Sequence, residues 1–99
     1  MKIDGVRPPE SGKAIRVQVG GSPVAIFNVG GQLLAVDATC PHAGGPLDRG
    51  PVTGDLVTCP LHGSQFNLRT GAVVRGPAVR PLHVYRVRVD GTGLQVDPA

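Results

Sequence analysis

The sequence predicts an all-β domain, and three observations carry that prediction. Short runs either alternate apolar and polar residues or concentrate Val and Ile, the period-two pattern of half-buried strands. Breaks of Gly, Pro, Asn and Asp separate the runs. No window repeats apolar residues at helical spacing. The 15 glycines and 10 prolines therefore read as punctuation between strands rather than as disorder.

Taken in order, the first strand is expected over residues 14–19, where Ile15, Val17 and Val19 alternate with polar neighbours. The next two, 23–29 and 32–36, follow Gly20-Gly21 and Gly30-Gly31, pairs able to take the positive φ of a tight hairpin turn. Apolar runs place short strands at 56–58 and 65–68, and Thr70-Gly71 turns the chain into another at 72–74. The Val-rich stretch 83–89 and the run 94–96 flank Asp90-Gly91, a further hairpin signal. Composition shifts between Asp37 and Pro81, a segment that holds most of the prolines and both cysteines. The expected architecture is one domain over 1–99. An antiparallel β platform, about 1–36 and 79–99, carries an inserted loop-rich subdomain at about 37–78.

A chain of 99 residues makes one domain and buries roughly two thirds of the surface its unfolded form exposes. Aromatic residues are 3% of the chain and Trp is absent, so the core is built from Val, Leu, Ile and Ala and is thin. Such a chain benefits from a covalent or metal staple. No basic start with an apolar run follows Met1, and no apolar segment reaches the roughly 20 residues that span a bilayer. The expectation is a cytoplasmic protein without a membrane role. Two cysteines in a reducing compartment favour metal or redox duty over a disulfide. The formal charge of +3 is dispersed, and Phe27, Phe66 and Tyr85 stand apart, so nucleic acid is not the expected partner. The charge reads as an ordinary solvated surface with a mild basic bias, which leaves an acidic protein partner as a hint.

Both cysteines have a histidine close by: Cys40-Pro-His42, then 16 residues, then Cys59-Pro-Leu-His62. Thiolates and neutral imidazoles on two short loops form metal sites when the loop tips converge on one centre. A tetrahedral zinc site would use the same four side chains. The single residue between Cys40 and His42 is fewer than zinc pairs usually have, and each loop supplies one ligand of each kind. If like ligands sort together, Cys40 and Cys59 take one metal and His42 and His62 another. Two histidines replacing two cysteines on one iron is the Rieske [2Fe-2S] arrangement.

Over nearly its whole length the sequence resembles the Rieske proteins, above all the small Rieske-type ferredoxins that serve ring-hydroxylating oxygenases. The resemblance rests on "CPHAGGPLDRG", "CPLHGSQFNLRTG" and "RGPAVRPLHVYRV", the last matching the family's third, proline-containing loop and closing strand. It implies the Rieske fold, one [2Fe-2S] cluster per chain held by Cys40, His42, Cys59 and His62, and a histidine-bound iron near the surface. It also implies a one-electron carrier, passing electrons from a reductase to a terminal oxygenase. With those histidines committed, only His83 is left, too few for the mononuclear iron site of an oxygenase. Substrate chemistry is thus expected elsewhere. Two other readings stay open: the small subunit of an assimilatory nitrite reductase, bound to its large subunit, and a zinc-stapled interaction module.

Further residues take expected roles from the same resemblance. Gly44, Gly45, Gly63 and Pro77 would bring backbone close to the bridging sulfides, although turn geometry explains the glycines equally well. Leu47 and Leu61 would shield the cluster from water. Ser64 keeps the position of a hydroxyl that donates to a sulfide. Phe66 stands where high-potential relatives have a tyrosine, and Ala43, Gly44 and Leu61 supply no cysteines for the disulfide that ties their loops. The expected midpoint is therefore in the low part of the roughly −150 to +300 mV range. His83 is read as a surface histidine, Tyr85 as packing, and Asp37, Asp48 and Asp55 as turn formers. Arg49, Arg75 and Arg80 are read as rim charges of a docking face.

Overall fold

The computed structural model describes residues 1–42 and 44–99. Ala43, which stands where a bridging cysteine would be, lies outside the described residues. Ten strands are present among them: β1 (Lys2–Asp4), β2 (Ala14–Val19), β3 (Ser22–Val29), β4 (Gln32–Asp37), β5 (Val52–Thr53), β6 (Leu56–Thr58), β7 (Gln65–Asn67), β8 (Val73–Arg75), β9 (Val84–Asp90) and β10 (Gly93–Pro98). A short 3₁₀ helix covers Leu47–Arg49. The strands form a six-stranded antiparallel sheet, ordered β1-β10-β9-β4-β3-β2, and a four-stranded one, β5-β6-β7-β8.

β3 explains how the two sheets share one molecule. Val24, Ala25, Ile26 and Phe27 are all buried in sequence, the pattern of a strand covered on both faces. Val24 and Ile26 join Val17, Ala35, Leu94 and Val96 in a core enclosed by the large sheet. Ala25 and Phe27 face the other way, into a second core with Val36, Leu47, Val57 and Phe66, which also contains Cys40 and Cys59. The large sheet is thus the floor on which the small sheet and its loops stand. Truncating a fully buried aromatic such as Phe27 or Phe66 would remove about 3 to 5 kcal/mol.

Two strands escape the sequence reading. β1 and β5 are three and two residues long, too short to show a period. They exist because neighbours offer free edges, Ile3 pairing with Leu94 and Thr53 with Leu56. Other boundaries move for local reasons. β7 stops at Asn67, whose side-chain oxygen accepts the N–H groups of Arg69 and Thr70 and turns the chain. β8 starts one residue later than expected, since Ala72 donates to the Thr70 hydroxyl in that turn. β9 starts at Val84 because the His83 N–H is taken by the Asp37 carboxylate. β10 gains a residue before 94 and two after 96, Gly93 pairing with Asp90 and Pro98 with Tyr85.

The three aspartates do more than form turns. Asp48 in the 3₁₀ helix accepts from Arg16 of β2 at 3.1 Å. Asp55, within the Gly54-Asp55 turn, accepts from Arg69 at 2.8 Å, and the same guanidinium donates to Gln32 of β4 at 2.8 Å. The Arg16–Asp48 and Arg69–Gln32 bonds tie the small sheet's segment to the large sheet, and Asp55 holds the Arg69 side chain. Exposed pairs of this kind contribute up to about 1 kcal/mol each, so they orient the two parts while the shared core holds them together.

Gly71 supplies the tightest junction between the parts. Its φ is +77° and a Cβ there would lie 2.2 Å from the Leu82 carbonyl oxygen, while its own carbonyl accepts the Leu82 N–H at 2.8 Å. Gly54 has φ +58° and open space ahead of it. Gly54→Ala should therefore cost only the left-handed backbone penalty, about 1 to 2 kcal/mol. Gly71→Ala should cost clearly more, because backbone must also move. Chemical unfolding of both variants compares them, and equal losses would show that the junction relaxes freely.

Candidate metal centre

Two loops of like construction meet, residue 45 of the first lying against Cys59 and Leu61 of the second. The first leaves β4 and closes at Cys40, whose N–H donates to the Gly45 carbonyl at 2.9 Å. The second closes at Cys59, whose N–H donates to the Ser64 carbonyl at 2.7 Å. In each, a cysteine N–H is bonded to the carbonyl five residues on, and the histidine sits on the arc between. His62 has φ +70°, an uncommon conformation for a residue with a Cβ, and Gly63 beside it is left-handed as well. The consecutive left-handed pair is what swings the loop around and leaves the imidazole outside.

The four side chains sort by depth. Cys40 and Cys59 are each 1% exposed and both are free thiols. Burial pushes the Cys59 thiol above its ordinary value; the Leu61 backbone N–H pulls part of the way back, and the neighbouring Cys40 raises it further. His42 and His62 are exposed. Their ring centroids lie 5.8 Å apart, with the planes at 78°. Sulfur is together and inside, nitrogen together and outside.

Gly45 permits this arrangement. A Cβ at that position would lie 2.7 Å from the Cys59 sulfur and 3.2 Å from Leu61 Cγ, so the first loop lies against the second only because the side chain is missing. Gly44 and Gly63 differ: their φ values are +72° and +75° and nothing stands within 4 Å of a Cβ. Turn geometry accounts for those two, and close approach for Gly45.

The other expected site residues divide as well. Leu47 is fully buried and anchors the 3₁₀ helix, its N–H donating to the Ala38 carbonyl. Leu61 is 45% exposed, with its Cβ and Cγ close to Gly45. Ser64 is fully buried and its oxygen accepts the Ala78 N–H at 3.0 Å. Among the described residues no acceptor takes its proton, which remains available to a group between the loops. Phe66 is fully buried, and Pro77 is exposed on the third loop.

Sequence reasoning missed one cluster. Asp37 accepts from the His83 N–H at 2.7 Å and lies 2.8 Å from His83 Nδ1, while its other oxygen accepts from the Tyr85 hydroxyl at 3.1 Å. Burial, and then the Asp37 charge, push the Tyr85 hydroxyl above its ordinary value and keep it a donor. Tyr85 is therefore a hydrogen-bonding residue as well as a packing one. The signal was the i, i+2 spacing of His83 and Tyr85 in a run expected to be a strand from 83, but the aspartate 46 residues away from His83 had no sequence link to either.

The donor set fits a two-iron cluster. Two buried thiols and two exposed imidazoles offer one pair of like ligands to each iron. The family model for the Rieske [2Fe-2S] domain matches residues 2–86, and the chain belongs to that family. Its cofactor is one [2Fe-2S] cluster, which displaces the zinc alternative, and its role is that of a ferredoxin, an electron carrier. The biphenyl dioxygenase ferredoxin subunit of Pseudomonas sp. (strain KKS102) is 40% identical over 96 residues, 96% of this chain and 85% of that protein. The ferredoxin of carbazole 1,9a-dioxygenase from Nocardioides aromaticivorans IC177 superposes with a TM-score of 0.87 at 31% identity, over 99% of this chain and 98% of its own. A ferredoxin solved in a complex of reduced oxygenase and oxidized ferredoxin in carbazole 1,9a-dioxygenase has a TM-score of 0.81 and 37% identity, over 89% of this chain and 82% of its own.

The two adjacent glycines separate loop contact from turn strain. Gly45→Ala should yield protein with much less bound iron and sulfide, because the new methyl displaces the Cys59 sulfur. Gly44→Ala should retain the cluster and lose only about 1 to 2 kcal/mol of stability. Equal iron content in the two variants would remove the special role of Gly45.

Proposed function

We propose that this chain accepts an electron from a reductase and delivers it to a terminal ring-hydroxylating oxygenase, in the cytoplasm. Cys40 and Cys59 hold one iron of the cluster and His42 and His62 the other. The observation that carries the reading is the division by depth: thiols 1% exposed, imidazoles at the surface. The cluster, when bound, takes up and gives back one electron. The chain's part is to keep the sulfur side away from water and to offer the histidine side to another protein. The names of its relatives as dioxygenase ferredoxin subunits, and the oxygenase complex of one of them, support the choice of partner.

The surface beside the imidazoles suits brief docking. Leu61 and, on the third loop, Val79 at 90% exposure are apolar side chains open to contact. Arg49, Arg75 and Arg80 are exposed as well and complement an acidic rim on the partner. No helix is long and apolar enough to cross a membrane. Mixing the reduced chain with an oxidised oxygenase of this class and following its visible absorbance tests the transfer directly. Stable co-purification with a large nitrite-reducing subunit would overturn the reading.

Replacing Cys40, His42, Cys59 or His62 with Ala should abolish or destabilise cluster binding, and His83→Ala should not. Iron and sulfide analysis decides it, and full occupancy in His62→Ala would refute the ligand assignment.

Rate of reduction by the reductase should fall with rising ionic strength, since screening acts over about 10 Å at 0.1 M salt and steering charges act chiefly on association. The triple change of Arg49, Arg75 and Arg80 to Gln should flatten that dependence. A rate indifferent to salt would leave these arginines as ordinary surface residues.

A further inference from the structure

The third loop, between β8 and β9, is anchored to the second ligand loop and to the strand leading into the first, and its two anchors differ in kind. At one end the Ala78 N–H donates to the buried Ser64 oxygen of the second ligand loop at 3.0 Å. At the other, His83 meets Asp37, the last residue of β4 and three before Cys40. The contact is reciprocal: the Asp37 N–H donates to the His83 carbonyl at 3.1 Å, and the carboxylate accepts the His83 N–H at 2.7 Å. The same carboxylate takes the Tyr85 hydroxyl at 3.1 Å and lies 2.8 Å from His83 Nδ1. Between the anchors, Ala78 and Leu82 are buried in the core that contains both cysteines, and the Leu82 N–H is held by the Gly71 carbonyl at 2.8 Å. Val79, Arg80 and Pro81 are exposed.

We propose that Asp37, His83 and Tyr85 form a brace that positions the third loop and, through the Ala78 N–H, aims the Ser64 hydroxyl at the cluster. The inference rests on the ligand assignment given above. A serine hydroxyl has one proton and two acceptor lone pairs. When a fixed N–H occupies an acceptor position, the directions left to the proton are restricted, and hydrogen bonds to cluster sulfur help set the potential. The position of the Ala78 N–H depends on where the loop lies, and the loop is pinned on its β9 side by a carboxylate with three partners. Charge-assisted bonds of this kind are stronger than neutral ones, which suits a brace for a loop whose middle is exposed. The high-potential relatives tie their ligand loops with a disulfide; here Asp37 is on the strand leading to the first loop and Ser64 is in the second, and the third loop joins them.

The brace makes a prediction of sign. On charge alone, removing a carboxylate near a group that gains an electron raises its midpoint. If Asp37 acts by positioning, its loss loosens a donor to the cluster and lowers the midpoint. Film voltammetry should be run on the cluster-loaded protein, on Asp37→Ala, on Ser64→Ala and on the double variant, with iron and sulfide content and visible circular dichroism measured alongside. The expected result is a lower midpoint in Asp37→Ala, with most of that shift gone when Ser64 is already Ala. A rise, or equal shifts in both backgrounds, overturns the proposal. If Asp37→Ala fails to hold the cluster, Tyr85→Phe and Asp37→Asn keep the side-chain size and should show smaller falls with the same dependence on Ser64. Absence of iron and sulfide from the unmodified chain would defeat the ligand assignment instead, and a normal cluster without the coupling defeats the brace alone.

Discussion

The close approach of two loops governs the rest of the site. With a Cβ at Gly45 only 2.7 Å from the Cys59 sulfur, the first loop cannot rest against the second unless residue 45 is glycine. Once it does, two thiols share a space without water. Buried cysteine behaves as a small apolar group, and burial keeps the Cys59 proton in place. A buried thiol that keeps its proton carries no charge, and on the proposed ligand assignment a metal would displace that proton, so the large cost of an isolated buried charge would not be met at Cys59 before the compensating cation arrives.

Where the thiols sit also explains the shape of the fold. The second core is built from residues of both sheets and includes the two cysteines themselves. A domain with only two Phe and no Trp has little else with which to fill that space. β3 and β4 serve both cores, so the large sheet can be complete without the small one, while the small sheet depends on the floor that Ala25, Phe27 and Val36 provide. The Arg16–Asp48 pair and the Arg69 contacts to Asp55 and Gln32 then fix the orientation of one part on the other.

Legibility in the sequence followed the range of the interaction. Strands with several alternating residues, such as 14–19 and 23–29, were readable because period two is a local property. β1 and β5 were not, since three-residue and two-residue strands owe their existence to a partner's free edge. The four ligand candidates were readable from composition and spacing, because no other Cys or paired His competes with them. The distinct role of Gly45 among neighbouring glycines was not, for it rests on a contact between loops 14 residues apart. Nor was the Asp37–His83–Tyr85 cluster, whose aspartate looks in the sequence like any residue at a turn. The partial exposure of Leu61 was not legible for a related reason: only the loop's path reveals how much of a leucine there faces outward.

That outward leucine belongs with the exposed imidazoles in a consistent picture of a carrier. An electron carrier gains nothing from a tight interface with a redox partner, since one complex must dissociate before the next forms. Weak electron-transfer encounters accordingly bury little area, typically below about 1,200 Å². Here separate apolar side chains, Leu61 and Val79 among them, are exposed, and in the proposed docking the dispersed arginines would supply attraction felt before contact. Such charges raise the rate of encounter more than the lifetime of the complex. Depth completes the division of labour. The sulfur side is held by packing, which resists change, and the nitrogen side is held by loop geometry at the surface, where a partner can reach it.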